Sequence, residues 1–312
     1  MRPPFTNVLR LIFISLLTSA TLCLHAELDA IGIADIKLNP MTVEKAKREG
    51  KVLSFGLVTE SMNNQLIDRM HNTRKFKVIA RGDLDAIMKE IDFSEGGLVD
   101  GMSPGAAKGF MLAGIKYLVV TTVDDFQDYE ETLELPALRK TVKKRIIRFS
   151  AVTKLYDTTS GALLESANIQ LGPGDRDYEQ VRALSESNTN VTANGSLNDY
   201  LLVSTARLMA DRVANRIIDV LYPAMVIAKT GKQVTINRGD GLNIAEGQVW
   251  GVFALGEEMI DPGTGESLGQ EEVEVGSVKI SAVTPKFSRA VTMEDNGIER
   301  GQVLRLKEDR KD

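Results

Sequence analysis

Residues 147–171, IRFSAVTKLYDTTSGALLESANIQL, decide the fold. Two runs rich in alternating apolar and polar residues, 147–156 and 162–171, flank Asp157-Thr158-Thr159-Ser160-Gly161, a composition that turns the chain. Period-two patterning reads as half-buried strands, and the short turn pairs them antiparallel.

Toward the N-terminus, residues 117–123 (YLVVTTV) read as a buried strand. Between it and the hairpin, residues 128–148 are densely charged. Glu130, Glu131 and Glu134 lie in one half and Arg139, Lys140, Lys143, Lys144 and Arg145 in the other, which predicts a polar hairpin with mutually attracting arms. Residues 76–80 predict a strand, and Asp83 is placed to cap a helix carrying Leu84, Ile87, Met88 and Ile91. Ser103-Pro104 opens a short helix that ends at Gly114. The β-rich run 51–59 (KVLSFGLVT) predicts a strand, followed over 61–71 by a helix with Met62, Leu66 and Met70 at helical spacing.

Toward the C-terminus, residues 172–196 are rich in Gly, Asn, Ser and Thr and predict a long mobile loop. Residues 197–221 form the longest helical pattern, with Leu201, Ala206, Met209, Val213, Ile217 and Val220 near one stripe, and Tyr222-Pro223 ends it. Beyond lie β-rich runs at 233–237, 248–255, 273–283, 289–293 and 302–306, separated by Gly-rich turns and uninterrupted by helix. They predict a small antiparallel barrel or sandwich. The fold class is therefore α+β: a signal segment at 1–26, an N-terminal lead at 27–50, a mixed-sheet domain with flanking helices at 51–224, and a small β domain at 225–312.

The signal reading rests on Arg2 and Arg10, then the apolar run 11–17, then small residues ending at Ala26. That run is shorter than the roughly 20 residues of a spanning helix. Cleavage after Ala26 moves the net charge from −5 to −7 and removes Cys23 and His25. A lipid-modified Cys23 is a second reading, but Leu22 stands where a small residue is needed.

The trimmed chain then holds no Cys and His71 as its single His, which excludes disulfide frameworks, thiol nucleophiles and His-rich metal sites. With 38 basic against 43 acidic residues, nucleic acid is excluded as a partner. No P-loop, dinucleotide fingerprint or serine elbow occurs, so no catalytic, cofactor-binding or metal-ligating residue is assigned. Asp124-Asp125 is the most suggestive carboxylate pair, yet adjacent strand residues face opposite ways, and solvated turn acids are the favoured reading. His71 reads as a dipole partner at a helix C-terminus. Residues 261–265 (DPGTG) read as a tight turn, lacking the spaced acids of a calcium loop. Arg81-Gly82-Asp83 and Arg238-Gly239-Asp240 match an adhesion tripeptide, but Asp83 already has a capping role and Gly239-Asp240-Gly241 a turn. Asn190-Val191-Thr192 and Asn194-Gly195-Ser196 fit the N-glycosylation pattern, relevant to a eukaryotic host.

The runs 76–81 (FKVIAR), 113–120 (AGIKYLVV) and 155–161 (LYDTTSG) with Leu163-Leu164, closed by the helix into Tyr222-Pro223, resemble the curli production assembly/transport family, CsgG. Ile236-Asn237-Arg238-Gly239, Glu246-Gly247-Gln248, Ile260-Asp261-Pro262 with Gly265 and Leu268-Gly269, and Phe287-Ser288-Arg289-Ala290 are similar to the C-terminal domain of the flagellar T-ring assembly protein. The resemblance implies a periplasmic, outer-membrane-associated assembly protein without turnover or cofactor. It further implies a homo-oligomer with protein partners of the cell envelope and peripheral contact with the outer membrane.

Channel-forming members insert two hairpins per subunit, here 127–154 and 169–200. Lys144 and Arg148 on one face and Lys143 and Arg145 on the other argue against a lipid-facing strand, at about 2–4 kcal/mol per midplane charge. A non-catalytic scaffold is the preferred expectation. An outer-membrane pore subunit and a carboxylate-dependent cell-wall hydrolase using Asp124 and Asp125 are the alternatives.

Overall fold

The computed structural model describes residues 28–79, 114–135, 140–187 and 200–307, with 264 and 266 excepted. The expected signal segment, Cys23, the helices over 84–91 and 103–113, the first Arg-Gly-Asp and both glycosylation sequons lie outside those residues.

A mixed sheet is built from β1 (Ala30–Ile33), β2 (Lys37–Leu38), β3 (Lys77–Ile79), β4 (Tyr117–Leu135), β5 (Lys140–Asp157) and β6 (Leu163–Leu171). Its order is β3-β1-β4-β5-β6, with β2 continuing beside β4. Strands β3, β1 and β4 run parallel, and β4-β5-β6 antiparallel. The deciding hairpin forms as read, Phe149 opposite Leu171 and Leu155 opposite Glu165. The turn is fixed by Asp157, whose side chain accepts from Thr159 N at 2.7 Å. The lead at 27–50 supplies β1 and β2 to this sheet, together with helix α1 (Pro40–Arg48).

The expected strand at 51–59 is instead the first part of helix α2 (Val52–Asn72). Phe55, Val58, Thr59, Met62, Leu66 and Met70 are its buried positions, a 3–4 residue spacing that continues through the whole run. The β-branched, apolar composition masked that period, and Gly56 sits on the open side, where a Cβ would meet nothing within 4 Å. Phe55 stacks on Phe126 of β4 at 5.3 Å, and Phe126 meets Phe149 of β5 edge-on at 6.1 Å.

The expected loop at 172–196 is overturned as well, because α3 (Arg176–Ser187) lies inside it. Asp175 caps this helix, its Oδ1 accepting from Asp177 N at 3.1 Å and Tyr178 N at 3.2 Å, with Asp177 and Glu179 in the first turn. Helix α4 (Tyr200–Leu221) buries Ala206, Met209, Val213 and Ile217 as its pattern predicts, and joins α2 in the core over the sheet.

The second sheet is antiparallel: β7 (Ala224–Thr230), β8 (Gln233–Ile236), β9 (Val249–Ile260), β10 (Ser267–Val283), β11 (Ser288–Asp295) and β12 (Val303–Leu306). Its pairings run β10-β11-β8-β7-β12-β9 and return from β9 to β10, around a core of Val226, Val234, Trp250, Val252, Val278 and Leu304. Gly276 has φ 153° where β10 passes close to Glu294 O, an approach that a Cβ would block. Strand β7 had no counterpart in the sequence reading.

Candidate functional site

Of the sequence candidates, Asp125 binds Lys45 Nζ at 3.2 Å and Gln127 Nε2 at 2.6 Å. The Asp124 carbonyl accepts from Thr42 Oγ1 at 2.5 Å. A register shift between Val123 and Asp125 marks the spot, where the Asp125 carboxylate and the Asp124 main-chain carbonyl fasten α1 to β4. His71 lies in the last turn of α2, as its dipole reading requires. Asp261 turns the chain at a ribbon tip, its Oδ1 accepting from Gly263 N at 2.7 Å. Among the described residues, no three His, Cys, Asp or Glu side chains converge to hold a metal.

In the second Arg-Gly-Asp, Arg238 and Gly239 are buried and Asp240 is exposed. Arg238 is 2% exposed and donates from Nη2 to Asp219 Oδ1 at 2.6 Å and Tyr222 O at 2.9 Å, and from Nη1 to Leu242 O at 3.4 Å. Its guanidinium lies 5.6 Å from the Trp250 ring centre. A Cβ on Gly239 would fall 2.5 Å from Thr284 O, which demands glycine there. The tripeptide therefore seats the second domain on the end of α4.

Two clefts follow this junction. One, of about 540 Å³, is lined by Glu165, Arg216, Asp219, Trp250, Glu272 and Arg305, and a second, of about 580 Å³, by Asp175, Asp177, Arg212 and Lys307. Their charges face one another: Arg216 with Glu165 at 2.9 Å, Arg305 with Glu272 at 2.7 Å, Arg212 with Asp175 at 2.6 Å and Asp177 at 3.3 Å. Each of these pairs lies within one domain, so the cleft charges are satisfied locally.

The unusual features are two ribbons. Beyond Phe149, β5 loses β6 and continues with β4 alone, as nine residue pairs from Gln127–Arg148 to Leu135–Lys140. At about 3.4 Å per residue this arm reaches roughly 30 Å. Its root is locked by Asp128, 4% exposed, which receives both Arg145 Nε and Nη2 at 2.7 Å. Burial alone pushes this carboxyl up, but the hydrogen bonds and charge of Arg145, with Lys51 at 3.8 Å, outweigh it and hold the group below the usual range. Tyr178 of α3 covers the ribbon's outer edge, its hydroxyl accepting from Ile147 N at 2.7 Å. Farther out, Lys143 pairs with Glu130 at 3.5 Å.

The second ribbon is the outer part of β9 and β10, residues 254–260 against 267–273, past the reach of β12 and β11. Leu255, Met259, Ile260 and Val273 are 43–53% exposed on it, beside Glu257, Glu258 and Glu271. Sequence reasoning stopped these strands at 255 and 273, since Gly256, Gly269 and paired glutamates are poor strand formers.

None of the described helices is long and apolar enough to cross a membrane, which leaves strand-based crossing unaddressed. No protein-family model matches the chain. An 82-residue stretch is 35% identical to an uncharacterized protein of Aquifex aeolicus (strain VF5), covering 26% of this chain and 16% of that protein. Among solved structures, the PelC dodecamer of Paraburkholderia phytofirmans aligns with TM-score 0.31 and 11% identity, over 60% of this chain and 84% of that one. The hypothetical protein CT253 of Chlamydia trachomatis aligns with TM-score 0.35 and 12% identity, over 62% and 98%. TolB of Acinetobacter baumannii aligns with TM-score 0.29 and 8% identity, over 91% and 61%. Scores and overlaps of this size assign no activity.

Proposed function

We propose that this chain is a CsgG-like assembly protein of the cell envelope. It is a non-catalytic scaffold at the periplasmic face of the outer membrane, self-associating and recruiting other envelope proteins of an export apparatus. One observation carries the reading: two β-ribbons project past their sheets with apolar and charged side chains in solvent, while the cleft charges are occupied with one another. Exposed apolar groups on a ribbon favour protein contact, because burying them removes about 25 cal/mol for each Å² taken from water.

The test is recovery of envelope proteins on the immobilised chain, with Met259→Ser/Ile260→Ser as control. The scaffold reading expects a defined set of proteins that the control loses. Turnover of cell-wall polymer, abolished by Asp124→Asn/Asp125→Asn, would overturn it in favour of a hydrolase.

The length of the first ribbon favours a second reading, a subunit of an outer-membrane pore, since nine residue pairs match the ~9–11 residues of a lipid-crossing strand. Against it stand Glu130, Glu131, Lys143, Lys144 and Arg145 along that ribbon, and α3 within the second inserting segment. Stepwise conductance in planar bilayers is its signature.

A further inference from the structure

Strand β6 ends the mixed sheet, and among the described residues no strand pairs with its outer edge. Ladder alternation fixes which of its main-chain groups face outward. Asp157 N donates to Ala162 O on the hairpin side, so the odd-numbered residues of β5 turn toward β6 and bond its odd-numbered residues, Ala167 and Ile169 among them. Ser166, Asn168 and Gln170 therefore direct their amides and carbonyls away from the sheet. Gln170 O agrees, since it accepts from Arg212 Nη1 of α4 at 2.9 Å.

Open edges are ordinarily blunted by lysine, proline or a cover, as Tyr178 covers β5 at Ile147. Strand β6 has no such defence at Ser166 and Asn168: residues 163–171 hold no Lys, Arg or Pro, and their single charge, Glu165, is held by Arg216. The edge opens on a groove of about 610 Å³, lined along α4 by Arg212, Asn215, Arg216 and Asp219. Glu165 carries this groove into the 540 Å³ cleft and Arg212 carries it into the 580 Å³ cleft, so the second domain stands along its far side. That wall decides the occupant. The edge of a second folded copy brings its helices with it, whereas one extended chain needs only the ~4.8 Å spacing of a paired strand. The ion pairs of the walls are closed within each domain, which leaves no net charge to select a ligand. The unsatisfied groups are main chain, and an extended main chain is their complement.

We infer that this groove binds an extended peptide segment of a partner protein, which adds a strand to β6 through main-chain hydrogen bonds. Ser166, Asn168 and Gln170 supply the N–H donors, and the stretch from Glu165 to Gln170 reaches about 17 Å at ~3.4 Å per residue. Side chains of the added strand alternate between solvent and groove. At the Glu165 end those turned inward meet Leu255 and Leu306, which favours an apolar residue there. The site is separate from both ribbons and does not rest on the scaffold reading.

Amide hydrogen exchange on the full chain, read residue by residue, tests the inference with a blocked peptide of alternating valine and threonine, about seven residues long. With the peptide at millimolar concentration, exchange at Ser166, Asn168 and Gln170 is expected to slow by about tenfold or more, while Ala167 and Ile169, already bonded to β5, do not change. The same peptide N-methylated along its pairing edge should give no protection. Asn168→Pro deletes one outward N–H at an edge position that tolerates proline, and should weaken binding of the unmodified peptide by about tenfold. Absence of protection at Ser166 and Asn168, equal protection by the N-methylated peptide, or protection confined to either ribbon overturns the inference. So does protection of these amides that rises with protein concentration before peptide is added, which puts a second copy on the edge. In each case the envelope-protein recovery above decides the scaffold separately.

Discussion

Arg238 shows how a residue in a suggestive motif serves the fold. Its guanidinium fork reaches Asp219, Tyr222 O and Leu242 O together, over the face of Trp250. Replacing it with Ala leaves those acceptors without their donor and should cost about 3 kcal/mol, read as a shift in the denaturant midpoint. Arg238→Lys keeps the charge but loses the fork, and an intermediate loss is expected. Asp128 makes a second residue-scale prediction, with its sign set by the depressed pKa. Its contribution is complete above the unfolded carboxylate value near pH ~4 and is lost as pH falls through the lower folded value. Asp128→Asn should therefore lower stability at neutral pH by about 2 kcal/mol, with the gap to wild type closing in acid. A gap that is constant from pH ~7 to ~2 would show that the carboxylate charge is irrelevant there.

Helix α3 carries the argument at the scale of elements. Its Tyr178 is fully buried, burial pushes the phenol above its ordinary value, and its hydroxyl accepts the Ile147 amide proton on an otherwise open edge. Tyr178→Phe keeps the ring and removes that acceptor, which should cost about 1–2 kcal/mol and speed hydrogen exchange at Ile147 more than at Ala151 deep in the sheet. The Asp175 cap and the acidic first turn of this helix were sequence signals, outweighed in the reading of 172–196 by the Gly, Asn, Ser and Thr on either side of it. Helix α4 was legible since its stripe is long and regular, and the 147–171 hairpin since its turn residues and alternation agree. The start of α2 was misread because Val, Leu and Phe suit either element, and the pattern separates only when 51–59 is taken with Met62, Leu66 and Met70. The charged hairpin was visible as opposite-sign halves. The second ribbon was not, because glycine and glutamate break the strand signature where pairing alone extends the strands.

At the scale of the molecule, the loop between β8 and β9 is what couples the two domains. Arg69 of α2 holds it through Gly241 O and also meets Asp211 of α4 at 3.2 Å, while Arg238 holds it from the other side through Leu242 O. Gly241 itself lies against the end of α2, where an added Cβ would stand 3.3 Å from Asn72 O. Each domain has its own apolar core, so the grip on this loop, rather than a shared core, is expected to couple their unfolding into one transition. Arg69→Ala should therefore separate one calorimetric transition into two, with the second domain's own melting little altered and proteolysis near Pro223 accelerated. Because Arg69 and Arg238 act on the same loop, their combined loss should be smaller than the sum of the separate losses by about 1 kcal/mol. Strict additivity, with a single transition kept in both variants, would place the coupling in the contacts of Trp250 and Pro223 instead.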